Sequence, residues 1–366
     1  MEKRTYFDWA ASSYGNPSSL HSEGRESKHI LESARKRCAA VLNIPPETLS
    51  FTSGGTESNS IVLFSNLKRP GKGRIISSLA EHTSVREGME TLEKMGKPIG
   101  KIAVDSTGAV TAETFAKAME KYDDVRFASI MSVNNETGAI TDISSLNEIR
   151  KSSKAPIHFH CDLVQAVGKI PVDIQNWEID SASISAHKID GPRGIGLLYL
   201  RKPIEVFYAG GGQENGIRGG TENTQGAAAL ADCLEKYANK QAVQDEYARA
   251  KARWQKLISA LSVMERCTLI PTCRSADDDR FSPYILQAAF KNIPGEVMAR
   301  ALDDLGFAVS TGSACSSSSP ERPVLAAMNI EESLRIEGIR ISQGYSTTNE
   351  DIDLLLEAIT EVLKFL

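Results

Sequence analysis

The sequence contains no apolar run of the ~18 residues that a membrane-crossing helix needs. Its first residues, Met1-Glu2-Lys3-Arg4-Thr5, are charged and lack the apolar stretch of a secretory signal. Cysteine is sparse: six in 366 residues, at positions 38, 161, 233, 267, 273 and 315, with no Cys-x-x-Cys pair. That spacing excludes a zinc ribbon or a thioredoxin-like site, and it leaves free thiols as in a reducing cytoplasm. There is no basic surplus; the formal net charge is -5, the wrong sign for a general nucleic-acid binder. Internal repeats are absent, and the only low-complexity stretch is the serine run 316–319. What is present is 41% hydrophobic and 24% charged residues, the composition of a packed chain rather than a disordered one. The length suggests about two domains.

Short apolar runs alternate with helical patterns through most of the chain. The spacing predicts strands over 49–52, 74–77, 98–104, 127–133, 157–161, 181–185 and 194–200. Helices fall between them: one after Gly54-Gly55 reaching 67, then 85–95, 112–122 and 144–151. Strands alternating with helices predict a mostly parallel sheet covered on both faces. A long helical pattern rich in Ala, Glu, Lys and Gln follows Thr224 to Leu261 and is expected to bridge two domains. The tail then predicts strands over 284–290, 307–310 and 338–342, a helix over 295–305 and a closing helix over 349–363. Asn349 is read as the N-cap of that last helix, with Glu350 and Asp351 at its positive end.

Several places carry residue types suited to chemistry. Gly54-Gly55-Thr56-Glu57-Ser58-Asn59 follows a strand and opens a helix. Glycines there let the backbone approach an anion, and the free N–H groups of the helix start can hold a phosphate; a plain strand–helix turn fits the same letters. Lys188 closes Ser185-Ala186-His187 and precedes a glycine-rich turn from Gly191 to Gly196. Most lysines are solvated surface groups, but small polar neighbours suit a lysine that forms a Schiff base with a carbonyl cofactor. Asp162 ends the buried-looking run Ile157-His158-Phe159-His160-Cys161. A buried acid needs a cation, and a protonated pyridine nitrogen is one; capping the next turn is the competing reading. His82 has the shape to stack on a ring, although a lone histidine is more often structural. Cys315 sits among Gly312, Ser313, Ala314 and Ser316, a loop setting. Burial as a small hydrophobe is the reading for Cys38, Cys233 and Cys267.

The motifs also have an order. After the glycine run come Glu81-His82-Thr83, Asn134-Asn135-Glu136-Thr137-Gly138, Asp162-x-x-Gln165 and Ser185-Ala186-His187-Lys188. Arg218-Gly219-Gly220-Thr221-Glu222-Asn223, then Ser310-Thr311-Gly312-Ser313-Ala314-Cys315-Ser316, then Ile339-Arg340-Ile341-Ser342 complete it. Over nearly the whole chain this closely resembles the NifS/IscS type of cysteine desulfurase, within the class V aminotransferase group. The resemblance implies an α/β fold, the pyridoxal-phosphate-dependent transferase fold type I. A large domain over 14–248 would hold a mostly parallel seven-stranded sheet. A smaller α+β domain over 1–13 and 249–366 would carry the cysteine loop.

The resemblance also implies roles. Pyridoxal 5'-phosphate (PLP) would be held covalently by Lys188, with Gly55 and Asn135 beside it. Asp162 would pair with the pyridine nitrogen, Gln165 would bond the ring hydroxyl, and His82 would stack on the ring and shuttle protons. Thr56, Ser185 and His187 would grip the phosphate; Thr221 would reach the phosphate of the neighbouring subunit in a homodimer. Asn135 and Arg340 would hold the carboxylate of L-cysteine, because a bidentate arginine orients a carboxylate. Cys315 would take the sulfur as a persulfide, leaving L-alanine. The long stretch from Cys315 to Arg340 would carry that sulfur to an acceptor such as an iron–sulfur scaffold, a tRNA-thiolation protein or a thiamine-pathway protein. A cytoplasmic sulfurtransferase with no membrane contact and no direct nucleic-acid contact is implied.

The match departs in two regions, one near each end of the chain. The family pattern places a helix-bearing segment before its Tyr-Gly-Asn-Pro, whereas here Asp8-Trp9-Ala10-Ala11-Ser12-Ser13 meets Tyr14-Gly15-Asn16-Pro17 directly. Either a helix has been lost or residues between Ser13 and Tyr14 are missing from this sequence; the second is the expectation. Trp9 replaces an asparagine, which would alter packing beside the substrate. Ile341-Ser342-Gln343-Gly344-Tyr345 replaces Phe-Ser-Leu-Gly-Arg and spares Arg340. The rival readings are a selenocysteine lyase or another class V enzyme, and an inactive scaffold of the same fold. An aminotransferase would not need Cys315, and the joint presence of Lys188, Asp162, His82, Cys315 and Arg340 counts against a scaffold.

Overall fold

The computed structural model describes residues 5–312 and 322–366, apart from positions 70, 72, 154 and 209. Cys315 lies outside the described residues. The chain begins with α1 (Ser22–Leu42), β1 (Leu49–Thr52) and α2 (Gly55–Ser65), then β2 (Arg74–Ser78), α3 (Thr83–Lys94), β3 (Ile99–Ile102) and α4 (Ala112–Lys121). It continues through β4 (Val125–Met131), α5 (Ile143–Lys151), β5 (His158–Asp162), β6 (Ser181–Ser185), β7 (Gly196–Leu200) and α6 (Thr224–Tyr237). The last part holds α7 (Lys240–Ser262), β8 (Cys267–Ile270), β9 (Ile285–Phe290), α8 (Gly295–Asp304), α9 (Pro323–Ala327), α10 (Glu332–Glu337), β10 (Gly338–Ser342) and α11 (Asn349–Phe365). No described helix is long and apolar enough to cross a membrane.

Seven strands form one sheet in the order β1-β7-β6-β5-β4-β2-β3. The five strands from β6 to β3 pair in parallel, and β7 is antiparallel to both β6 and β1. β1, β6 and β7 are buried along their whole length. Helices therefore cover both faces, as parallel strands with no solvent face require. In open sheets of this kind ligands sit beyond the carboxyl ends of the strands. β5 ends there in Asp162 and β6 in Ser185. A second, antiparallel sheet, β10-β9-β8, packs with α7, α8 and α11 around its own core of Trp254, Leu257, Phe290, Leu302 and Ile359.

Local chemistry moved several boundaries. The helical pattern from Thr224 is two helices, because the Asn239 side chain accepts from the Ala242 N–H and starts a new one. Thr348, not Asn349, caps α11: its hydroxyl accepts from the Asp351 N–H while the Asp351 carboxylate accepts from the Thr348 N–H, a reciprocal capping box. Of the strand expected over 307–310, only Ser310 pairs, with Arg340. Neither α1 nor β8 was marked by the sequence pattern. At the first departure Ser12 and Tyr14 form a tight turn: the Tyr14 N–H donates to Ser12 Oγ at 3.2 Å, and the Ser12 hydroxyl donates to the Tyr14 carbonyl at 2.6 Å. Trp9 is exposed and meets Tyr6 edge to face.

α1 is locked to the sheet by a buried ion pair. Arg35 donates through Nη1 to Glu214 Oε2 at 2.7 Å and through Nη2 to Oε1 at 2.9 Å. Nη1 also donates to the Leu49 carbonyl, and Glu214 Oε2 accepts from the Phe51 N–H at 2.8 Å. Removing one partner strands the other charge in the interior. Arg35→Met is therefore expected to cost about 3–5 kcal/mol, read as a lower urea midpoint. Adding Glu214→Gln should recover part of that loss, since the uncompensated charge goes with it.

Candidate active site

Two adjoining cavities open at the carboxyl edge of the parallel strands. The inner holds about 300 Å³ and the outer about 580 Å³, and Asn135, Gln165, His187, Lys188 and Arg340 line both. Gly55 and Thr56 bring the first turn of α2 to the inner cavity. Gly54 has φ 148° and supplies no side-chain cap, so the N–H groups of that turn are left to a ligand. A Cβ on Gly55 would lie 2.6 Å from Val164, so only glycine allows this approach.

Asp162, Ser185 and His82 complete the inner wall. Ser185 Oγ bonds His187 Nδ1 at 2.8 Å, next to Lys188. Arg340, on β10, donates from Nη1 to the Asn135 carbonyl at 2.9 Å and so ties the small sheet to the site. The Asn135 side-chain oxygen is buried without a partner among the described residues. An unmet acceptor on a cavity wall marks where a ligand's donor fits. Thr221 is exposed and does not line either cavity. The segment containing Cys315 departs just after Ser310, whose backbone pairs with Arg340.

Asn59 is the functional residue that the family-based expectations passed over. It lies one turn after Gly55 on α2, buried and facing the cavity. Its Nδ2 donates to Asp162 Oδ2 and to Ser84 Oγ, both at 2.9 Å, and its Oδ1 accepts from His160 Nε2 at 3.0 Å. The Ser181 hydroxyl donates in turn to His160 Nδ1. Burial pushes His160 down to about 3, so this ring stays neutral. The only signal in the sequence was a polar residue one helical turn beyond a glycine pair.

The same network sets the proton on His82. Its Nδ1 accepts from the Ser84 N–H at 3.1 Å and the Ser84 hydroxyl at 2.9 Å, which leaves Nε2 as the protonated nitrogen. Burial holds the imidazole below its ordinary range, with the Lys188 and Arg86 charges adding to that and Asp162 opposing it. Asp162 meets both of its sequence readings: Oδ1 accepts from the Val164 N–H at 3.0 Å, capping the next turn, while the carboxylate lines the cavity.

Glu81 is buried behind this wall. Its Oε1 accepts from the Met131 N–H at 2.8 Å and the Ser78 hydroxyl at 2.9 Å, and Oε2 has no partner among the described residues. Burial, helped by the nearby Asp162 charge, pushes it up to about 8. The folded protein then binds a proton that the unfolded chain releases near pH 4.5, so stability falls as pH rises from about 4.5 to about 8. Glu81→Gln keeps the acceptor and cannot ionise. It is expected to flatten that decline, by on the order of a few kcal/mol at pH 8, in urea titrations across the window.

The second departure also has a structural role. Gln343 is buried, accepts from Arg253 Nε at 2.7 Å and donates to the Ala250 carbonyl at 2.9 Å. The Tyr345 hydroxyl donates to the Gly168 carbonyl at 2.8 Å, and its ring stacks on Tyr237 with centroids 4.1 Å apart. These contacts tie the end of β10 to α7 and to the wall of the outer cavity.

A lysine, a carboxylate and an open helix start that converge at the carboxyl edge of a seven-stranded, mostly parallel sheet define a PLP-dependent enzyme of fold type I. The chain belongs to the class-V aminotransferase family, whose sequence model (Aminotransferase class-V) matches residues 5–355. It is 36% identical over 369 residues to the cysteine desulfurase IscS of Vibrio cholerae, covering 98% of this chain and 87% of that protein. It is 35% identical to the cysteine desulfurase IscS of Dictyoglomus turgidum, covering 100% of this chain and 95% of that one. This second alignment spans 395 positions against 366 residues here, so gaps fall on this side of it. A solved structure described as a NifS-like protein superposes with a TM-score of 0.86 at 34% identity, covering 96% of this chain and 92% of that one.

The family is PLP-dependent, and the residues present fit the cofactor. The open first turn of α2 with Ser185 and His187 suits a phosphate. Asp162, held by two donors, suits a pyridinium nitrogen.

Proposed function

We propose that this chain is a cysteine desulfurase that converts L-cysteine to L-alanine and leaves a persulfide on Cys315. The observation that carries this reading is one cavity in which Lys188, Asp162, His82 and Arg340 converge, in a chain related over its whole length to cysteine desulfurases. When bound, PLP acts as a sink for electrons drawn from the substrate carbon. In this reading Lys188 holds the cofactor, Gly55, Thr56, Ser185 and His187 hold its phosphate, and Asp162 and Gln165 hold its ring. Arg340 and Asn135 orient the substrate carboxylate. His82, neutral and protonated on Nε2, moves protons at that atom.

The Cys315 thiolate then attacks the substrate sulfur. A sulfur–sulfur bond forms, the carbon–sulfur bond breaks, and the carbon takes a proton. L-Cysteine and a thiol become L-alanine and a persulfide, so no outside oxidant is needed. We assign sulfur delivery to an acceptor protein, such as an iron–sulfur scaffold, and a cytoplasmic homodimer in which Thr221 serves the neighbouring site. We divide the chain into a large unit over 14–248 and a small unit over 1–13 and 249–366; the separate cores around Phe159 and around Phe290 support the split near residue 248. The test is product analysis of the PLP-loaded protein with L-cysteine. Alanine in step with one added sulfur on Cys315, found by mass spectrometry, is the expected result; a keto acid would overturn the proposal.

A further inference from the structure

Lys169 is a cation beside the site that the proposed reaction does not use. It lies on the turns after β5, half-buried, on the wall of the outer cavity. Its Nζ donates to Gln165 Oε1 at 2.7 Å, and Gln165 faces both cavities. The two ends of a primary amide are opposite in character: the oxygen accepts and the nitrogen donates, whereas an ammonium can only donate. The oxygen of Gln165 is therefore committed to Lys169, and the nitrogen is the end left for the inner cavity. Without that partner the amide can turn over, because its ends are nearly equal in size.

We propose that Lys169 is a positioning residue: it fixes the Gln165 amide with the nitrogen toward the inner cavity, so that the ring oxygen of bound PLP meets a donor rather than an acceptor. This rests on the PLP reading of the cavity. A donor stabilises negative charge on that oxygen. It thereby weakens the oxygen's hold on the proton shared with the nitrogen of Lys188. An amide oxygen in the same place would strengthen it. Burial, with the charges of Lys188 and Arg340, brings Lys169 down to about 7; the neutral amine still donates but has a lone pair that can also accept, so the one-way bond to Gln165 is firmest below that pH. The other titratable groups on this wall are His187, Lys236, Tyr284, Tyr345, Tyr237 and Asp190, the last accepting from the Tyr237 hydroxyl.

The pH midpoint of the bound cofactor's near-visible absorbance reads that shared proton directly. In the PLP-loaded protein, Lys169→Met is expected to raise the midpoint by about one unit, while Lys169→Arg, which keeps a donor, stays near wild type. Gln165→Glu, which offers oxygen at both ends, is expected to move it upward too, and it serves if the methionine variant does not fold. An unchanged midpoint in Lys169→Met or Gln165→Glu at full cofactor content would overturn the proposal. So would an equal shift from Lys169→Met in a Gln165→Leu background, since Lys169 would then act by charge alone. If the wild-type protein takes up PLP without any near-visible band, the cofactor reading fails and this role with it.

Discussion

Replacing Lys188 by alanine is expected to remove the covalent attachment of PLP and to slow alanine formation from L-cysteine by about 10³-fold or more. Lys188 lines both cavities, and no neighbour is placed to substitute for it. Lys169 is bonded to Gln165. Lys236 is on the outer wall only. The proposed phosphate grip is placed without Lys188, since Ser185 and His187 hold each other at 2.8 Å. The variant should therefore still bind PLP, more weakly and without the absorbance of the lysine-linked form. Absorbance spectra, dialysis against buffer and alanine assays check each part. A variant that kept both the band and the rate would remove Lys188 from this role.

Cys315→Ser is expected to stop sulfur transfer and leave substrate binding intact. A hydroxyl is a far poorer nucleophile than a thiolate toward sulfur, so alanine formation should fall by about 10²-fold or more. Asn135 and Arg340 are untouched, so adding L-cysteine should still perturb the cofactor spectrum. The two variants then separate two functions: Lys188→Ala loses the cofactor linkage, whereas Cys315→Ser loses only the sulfur step. Alanine and transferable sulfur at the wild-type rate from Cys315→Ser would show that another group receives the sulfur.

The central sheet was legible because its strands are buried on both faces. Such strands read as unbroken runs of apolar and small residues, and Ser181–Ser185 and Gly196–Leu200 are of that kind. Lys188, Asp162 and Gly55, which the structure brings to one cavity, were legible as candidates because each stands at or just beyond the end of a strand, where a local motif marks it. The boundaries that moved turned on single side-chain bonds. Asn239 split one helix and Thr348 capped another, and residues that compete for caps do not announce which of them wins. β8 and α1 take their places from partners distant in sequence. At the N-terminal departure a bonded Ser12–Tyr14 turn joins the two motifs, a contact that no pattern in the sequence marked.

The sequence by itself determined the class of fold, the candidate lysine and the order of the motifs, because these depend on short-range patterns of burial, glycine and charge. Only the tertiary structure decided how the site is supported. Asn59 reaches Asp162 across 103 residues, and Arg35 reaches Glu214 across 179. The tautomer of His82, the proton on Glu81 and the orientation of the Gln165 amide follow from partners of the same kind. A hydrogen bond acts over about 3 Å, and closeness on that scale is set by how the sheet and its helices pack.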